Sequence, residues 1–527
     1  MPPVTNDMAG SFDLSSEDVS ILAKHSITRM NELLACHGAT QIPSFVTKLP
    51  TGSEVGQFLA VDLGGTNCRI CLVDLQGNST YKILQSKHIV PREHMVNSSH
   101  KPLFDFIASR IKQFLDTNST SGHGTGEKGE RSSPLNEKAL KLAFTFSFTY
   151  ETISLTEGRM LQWDKGWDIP DAIGQDPCGM LQKAIDRLGL RVTAVALTSD
   201  SVSTLAAEAY ACGGSVSPLA GIIFGTGTNA AYTEKLENIT KLRGAHQGRG
   251  NDKDVMVINS EWGGWYDEHP EMLPCTIHDK TLDETSTNPN EQLFEKRVSG
   301  MYLAELTRLA ILKASEDGAL TCTFEGSSTL HKPYALSGPF LSSLANDCSD
   351  SLQASIVCIE QTLDAEGVSQ ADAHMVRSLT KAIVRRAARL SGAAIAALII
   401  QSGRLRNITK PSDILFRANE LGHKRSRGFI SSLMSYAKIL LCWPRDVEEV
   451  FSYSSSNRTD SLVPENEMIV IGVDGSLFEF YPTFEAEIRE ALRDVPDIGL
   501  AGEARVRFRL TRDGSSLGAA LVAHAGL

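Results

Sequence analysis

No run of the 527-residue chain is long and apolar enough to span a bilayer. The longest apolar-rich stretch, GAAIAALII at 392–400, falls far short of the roughly 18–20 residues required. The N-terminal MPPVTNDMAGSFDLSSEDV lacks a basic segment followed by an apolar one, so no secretory signal pattern is present. Positive charge is in deficit, with 51 Lys and Arg against 63 Asp and Glu and a net charge of −12. That balance removes any global electrostatic reason to bind nucleic acid or an anionic membrane surface. The consensus G-x-x-x-x-G-K-[ST] is missing, and so is G-x-G-x-x-G followed by an acid about 20 residues on, which excludes the P-loop and the dinucleotide fingerprint. Protein-kinase catalytic-loop signatures are absent too. Cys68 and Cys71 spell C-x-x-C, but no second Cys or His pair follows at ligand spacing, and in a strand their side chains point to opposite faces. The ten cysteines are therefore expected as thiols of a reducing compartment. A soluble, cytoplasmic protein with a small ligand is the expectation.

A chain this long exceeds what one core accommodates, since single cores stop growing at roughly 250–300 residues, so two domains are expected. A polar tail runs to about residue 14. SSEDVSILAKHSITRMNELLA then has a Ser cap at Ser15 or Ser16, acids in the first turn and apolar residues at helical spacing, which predicts a helix. FLAVDLGGTNCRICLVDLQG consists of two apolar runs joined by a Gly-Gly turn, a hairpin signal. The pattern returns at AGIIFGTGTNAAYTEK (220–235) and more loosely at IVIGVDGSLFEF (469–480), which suggests a duplicated unit. VRSLTKAIVRRAARLSGAAIAALI (376–399) predicts a helix whose small residues let it lie close to a sheet. Strands alternating with helices argue for α/β layers. Two segments are excursions: 118–138, rich in Gly, Ser and charge and expected as a mobile loop, and 402–466, whose first part is basic and is expected as a solvated insertion.

The turns DLGGTN and FGTGTN place glycines where backbone can approach a ligand closely and Thr and Asn where side chains can donate. Successive N–H groups in such turns form anion nests, and two facing turns would clamp a polyphosphate. In LTSDSVSTL (197–205) a carboxylate, Asp200, sits among hydroxyls between an apolar run and a helical segment. By itself this could be a helix cap; it could equally be a base within reach of a ligand hydroxyl.

Beyond these features, FLAVDLGGTNCRICLV, LAFTFSFTYETISLTEGRMLQWDKGW, IIFGTGTNAAY, VINSEWGGW, NPNEQLFEKRVSGMYLAELTRL, GVDGSLFEFYP and DGSSLGAAL resemble, in family order, the motifs of the hexokinase family. The resemblance runs from about residue 17 to the C-terminus. It implies an α/β fold of two actin-like ATPase (ribonuclease H-like) domains with a deep interdomain cleft. The expected division is a tail over 1–16, a small-domain half over 17–212, and a large-domain half over 213–527 whose C-terminal helix is a candidate to return to the small domain. The implied activity is ATP-dependent phosphorylation of the 6-hydroxyl of a hexose or amino-hexose. Asp200 then matches the catalytic base. Ser147 and Lys165 match sugar contacts of the small domain, and Asn229, Glu261, Gln292 and Glu295 those of the large one. Asp62, Gly64, Gly65, Thr66, Asn67, Arg69 and Thr226 match the phosphate and Mg-ATP clamp, and Asp474, Gly475, Ser476 and Ser515 the nucleoside side. The resemblance further implies ATP and Mg2+, the ion arriving with ATP and held mostly by phosphate oxygens and water. It also implies a monomer or homodimer without a membrane partner.

The chain departs from the family pattern around the sugar and the nucleotide. Ser199 replaces the usual Asn, Asp164 the usual Thr beside the sugar-binding Lys, Thr149 the usual Pro, and Ser516 a Gly. Three readings follow: a kinase with altered sugar preference, for instance for N-acetylglucosamine or glucosamine; an ordinary hexokinase or glucokinase; or a catalytically weak or inactive hexokinase-like sugar sensor or regulatory protein, the one reading that admits a nuclear fraction or nucleic-acid binding.

Overall fold

In the stretch VGQFLAVDL, Phe58 and Ala60 point one way and Leu59 and Val61 the other, and all four are buried. The strand Val55–Leu63 must therefore be covered on both faces. The computed structural model, which describes residues 5–120, 139–163, 166–242, 255–405 and 467–526, supplies both covers. Val55–Leu63 pairs antiparallel with Asn67–Gly77, which pairs antiparallel with Thr80–Ile89. Its other edge runs parallel to Leu140–Phe146, followed by Val192–Thr198, also parallel. One face packs Leu59, Val61 and Phe144 against Phe104, Ile107 and Ile111 of the helix Lys101–Thr120. The opposite face packs Phe58, Ala60 and Ala143 against Leu517, Ala520 and Leu521 of the last helix, Gly514–Ala525. Cys68 falls in the first layer and Cys71 in the second, as the alternation requires.

A second sheet repeats this strand order. Val255–Asn259, Thr228–Lys235, Ala220–Phe224, Ile469–Asp474 and Val506–Leu510 lie side by side, the first three antiparallel and the last two parallel to Ala220–Phe224. The two-residue strand Ile42–Pro43 extends the outer edge. The helix Asp200–Cys212 packs on this sheet through Val202, Leu205 and Ala206 beside Ala231 and Val257. The opposite face carries the helices Ser16–Leu33, Gly300–Glu316, Gln370–Gln401 and Phe484–Asp494. The duplicated unit expected from the repeated turns is thus a pair of five-stranded sheets with one topology. Between them lie two helices, Asp200–Cys212 and Gly514–Ala525, packed against each other. No described helix is long and apolar enough to cross a membrane.

The structure corrects several expectations. The third recurrence is not a hairpin: Ile469–Asp474 is followed by the short helix Ser476–Phe480. Its neighbours run parallel, and a parallel pair cannot be closed by a tight turn. The helix predicted over 376–399 spans Gln370–Gln401, capped by Ser369 and Asp372. Its small residues serve a helix in place of a sheet: a Cβ at Gly392 would stand 2.5 Å from that of Ala491. Residues 5–16, expected as a flexible tail, include the helix Thr5–Gly10 and a buried Phe12 that receives the Arg386 guanidinium at 4.8 Å from its ring centre. The Ser16–Leu33 helix, assigned by position to the small-domain half, packs on Gln370–Gln401, because Val19, Leu22 and Met30 find their apolar partners there. Of the two excursions, 121–138 and 406–466 lie outside the described residues.

Candidate active site

A cleft of about 340 Å3 opens between the two sheets. It is lined from the first sheet by Asp62, Gly64, Gly65, Thr66, Asn67, Arg69 and Ser147, and from the connecting segment by Ser199 and Asp200. From the second unit it is lined by Thr226, Asn229, Glu261, Gln292, Glu295, Asp474 and Gly475, with Ser515 at the start of the last helix. Ser476 is exposed and does not line it. Asp164 and Lys165 lie outside the described residues. Sequence reasoning missed Thr228 and Met301, which also line the cleft.

Both glycine turns are pinned by backbone contacts. In the first, the Gly64 amide donates to the Asn67 carbonyl at 3.0 Å, the Trp167 indole N–H donates to the Gly65 carbonyl at 2.7 Å, and the Val90 amide donates to the Thr66 carbonyl at 3.0 Å. In the second, the Gly300 amide donates to the Gly225 carbonyl at 2.9 Å and the Met301 amide to the Thr226 carbonyl at 3.2 Å, so the turn rests on the start of the helix Gly300–Glu316. Gly475, at φ +124°, lies so near the same turn that a Cβ would meet the Phe224 carbonyl oxygen at 2.2 Å. Only glycine combines that backbone conformation with that approach.

Asp200 is the first residue of its helix, immediately after the cap. The Ser199 hydroxyl accepts from the Val202 amide at 3.3 Å and lies 3.1 Å from the Ser201 hydroxyl, so it is engaged by its own helix. Facing it, the Asn229 carboxamide donates to Glu261 Oε1 and to Asn259 Oδ1, each at 2.9 Å. Glu295 accepts from the Thr228 amide at 2.9 Å. Glu261 and Gln292 both hold left-handed backbone, at φ +46° and +56°, a conformation that costs a non-glycine residue free energy and is kept where surrounding contacts enforce it. For Gln292 the enforcing group is Asp267, whose carboxylate accepts from the Gln292 and Leu293 amides at 2.8 and 2.9 Å.

The cleft is strongly acidic. Its lining includes Asp62, Asp200, Glu261, Glu295 and Asp474 against one basic side chain among the described residues, Arg69. Burial, reinforced by the charges of Asp200 and Asp474 and opposed by Arg69, pushes the Asp62 carboxyl up to about 6. Burial and the Asp200 charge push Asp474 up to about 6 as well. Such a site favours a ligand that brings cationic charge with it.

Hexokinase family models match residues 4–210 and 219–525. The chain belongs to the hexokinase family. The kinship places it among ATP-dependent sugar kinases. It is 36% identical to a glucokinase of Aspergillus niger, covering 98% of this chain and 95% of that one. It is 31% identical to glucokinase-1 of Saccharomyces cerevisiae, covering 98% and 96%. The structure of a hexokinase from Schistosoma mansoni complexed with glucose superposes with a TM-score of 0.75 at 28% identity, covering 99% of this chain and 98% of that chain. The fold of the chain is accordingly two actin-like ATPase units around a cleft.

Proposed function

We propose that the protein transfers the γ-phosphoryl group of Mg-ATP to the 6-hydroxyl of a glucose-type hexose. The observation that carries this reading is the placement of Asp200. Asp200 lines the cleft at a helix start, its Oδ1 accepting from the Ser201 amide at 2.7 Å, with Asn229, Glu261, Gln292 and Glu295 on the same cavity as both glycine turns. A carboxylate so placed can accept the proton of a sugar hydroxyl as that oxygen attacks phosphorus. Ser147 and the large-unit carboxylates and amides orient the sugar hydroxyls, Thr66, Asn67, Arg69 and Thr226 orient the phosphates, and Ser515 and Gly475 face the nucleoside. The carboxylate oxygens of Asp62 and Asp474 are a donor set suited to a hydrated Mg2+ carried by the nucleotide. When bound it neutralises charge on the phosphates. The sugar shell and the nucleotide turns come from both units, so closure of the cleft would bring them together and exclude water.

The test is an ADP-release assay with Mg-ATP and glucose, fructose, mannose, glucosamine and N-acetylglucosamine in parallel. Turnover with glucose that falls by roughly 10²- to 10⁴-fold in Asp200→Asn, while sugar binding stays within a few fold, is expected if Asp200 is the base. A preference for an amino-hexose would reassign the sugar. Sugar-dependent thermal stabilisation without turnover on any of the five would replace the kinase reading with that of a sugar sensor.

A further inference from the structure

Asn259 is 5% exposed, ends the strand Val255–Asn259 and does not line the cleft. It nevertheless joins three segments that do. Its Oδ1 accepts from the Ser201 hydroxyl at 3.0 Å and from the Asn229 carboxamide at 2.9 Å, and its Nδ2 donates to Glu261 Oε1 at 2.8 Å. Asn229 completes the ring: its second N–H reaches Glu261 Oε1 at 2.9 Å, and its Oδ1 accepts from the Glu261 amide at 3.1 Å. We propose that Asn259 is a positioning residue that locks the sugar-facing pair Asn229 and Glu261 in register with the start of the Asp200 helix. The proposal rests on the sugar-kinase reading above.

The proton inventory gives the network one direction. A hydroxyl has a single proton, and that of Ser201 is committed to Asn259. The 3.1 Å contact between Ser199 and Ser201 is therefore donated by Ser199, which in turn accepts from the Val202 amide. Donation runs from Ser199 through Ser201 to Asn259. Turning the Asn259 amide over would set its N–H2 against the Ser201 and Asn229 donors and its oxygen against the Glu261 carboxylate. Its orientation is thus fixed by three partners on three segments. Through it the left-handed backbone at Glu261 and the first turn of the Asp200 helix become parts of one hydrogen-bonded unit. A misplacement of about 1 Å in such a unit can change a rate by roughly 100-fold.

Three variants test this, Asn259→Ala, Asn259→Asp and Ser201→Ala, each measured for hexose Kd by calorimetry, hexose and ATP KM, kcat and thermal midpoint. Asn259→Ala is expected to raise hexose Kd and KM by about 10- to 100-fold while ATP KM stays within about threefold. Asn259→Asp keeps the side-chain shape but sets a carboxylate against Glu261, and it is expected to bind hexose no better than Ala. A residue that merely filled space would tolerate Asp better than Ala. Ser201→Ala cuts the tie from Asn259 to the Asp200 helix, together with the Ser199 contact inside that helix, and is expected to lower kcat with hexose Kd retained. Unchanged hexose Kd in Asn259→Ala, or better binding by Asp than by Ala, overturns the proposal. Should Asn259→Ala fail to fold, the Asp variant and Ser201→Ala decide: near-normal values in both overturn it. If the unsubstituted protein binds hexose without turnover, the kinase reading fails, while the affinity comparison still decides the role of Asn259. No hexose binding by the unsubstituted protein overturns both.

Discussion

Gly518 rests on the carbonyl of Ser203: a Cβ at Gly518 would stand 1.7 Å from that oxygen and 2.3 Å from its carbon. The contact joins the last helix, which covers the first sheet, to the helix that starts at Asp200 and covers the second. Neither atom belongs to a flexible side chain that could move aside. Gly518→Ala is therefore expected to cost more than the roughly 1–3 kcal/mol of ordinary overpacking, and to lower kcat because the helix carrying Asp200 is displaced. Denaturant midpoints and turnover measured on the same preparation check this. A variant of normal stability would show that the two helices separate without cost.

Asp62 predicts a pH dependence of the ligand-free fold. An unfolded aspartate loses its proton near pH 4. The folded one keeps it to about 6, so between those values the folded state binds more protons than the unfolded state. Stability falls as pH rises through that window and levels off above it. Asp474, also pushed up to about 6, contributes in the same direction. Asp62→Asn is expected to raise stability at pH 8 by on the order of 1–3 kcal/mol, to leave it unchanged at pH 4, and to impair turnover. Thermal midpoints across pH 4–8 without ligand measure it; equal gains at both ends of the range would remove the carboxyl as the cause.

Ser199→Asn probes the sugar shell with little risk to the fold. Asn caps helices as well as Ser does, so the helix from Asp200 should stay capped and the thermal midpoint nearly unchanged. The longer carboxamide would reach farther into the cleft that Ser199 lines. One added hydrogen bond is worth about 0.5–1.5 kcal/mol, so kcat/KM for glucose is expected to rise by roughly 3- to 10-fold. No gain would point to Thr149 or Asp164 as the substitution that matters.

Much of this architecture was legible because its signals are local. The apolar runs FLAV and ICLV on either side of a Gly-Gly turn announce a hairpin. Ser15 with Asp18 marks a helix start through a capping box that needs only four residues. The glycine turns and Asp200 stood out by composition and by their likeness to family motifs, and they meet in one cleft. What escaped depends on distant partners. IVIGVDGSLFEF looks like its two predecessors until the parallel neighbours of Ile469–Asp474 are known. Nothing within Ser16–Leu33 says that its apolar face meets Gln370–Gln401. Asn259 reads as a polar strand end, and its three bonds reach segments 58, 30 and two residues away.

The last helix has a consequence for how the protein is made. The first sheet is complete in sequence once Thr198 has been synthesised, yet the face bearing Phe58, Ala60 and Ala143 waits for Leu517, Ala520 and Leu521. Roughly 300 residues separate the two, which at about 5–20 residues per second is on the order of 15–60 seconds of translation. Throughout that interval a nascent chain carries an apolar sheet face without its final cover. The Asp200 helix, which also packs beside that face, is made early and covers part of it, with Val46 beside it. Translation speed across the second half of the message therefore bears directly on the yield of folded protein, and a ribosome that stalls there leaves a sticky half-domain.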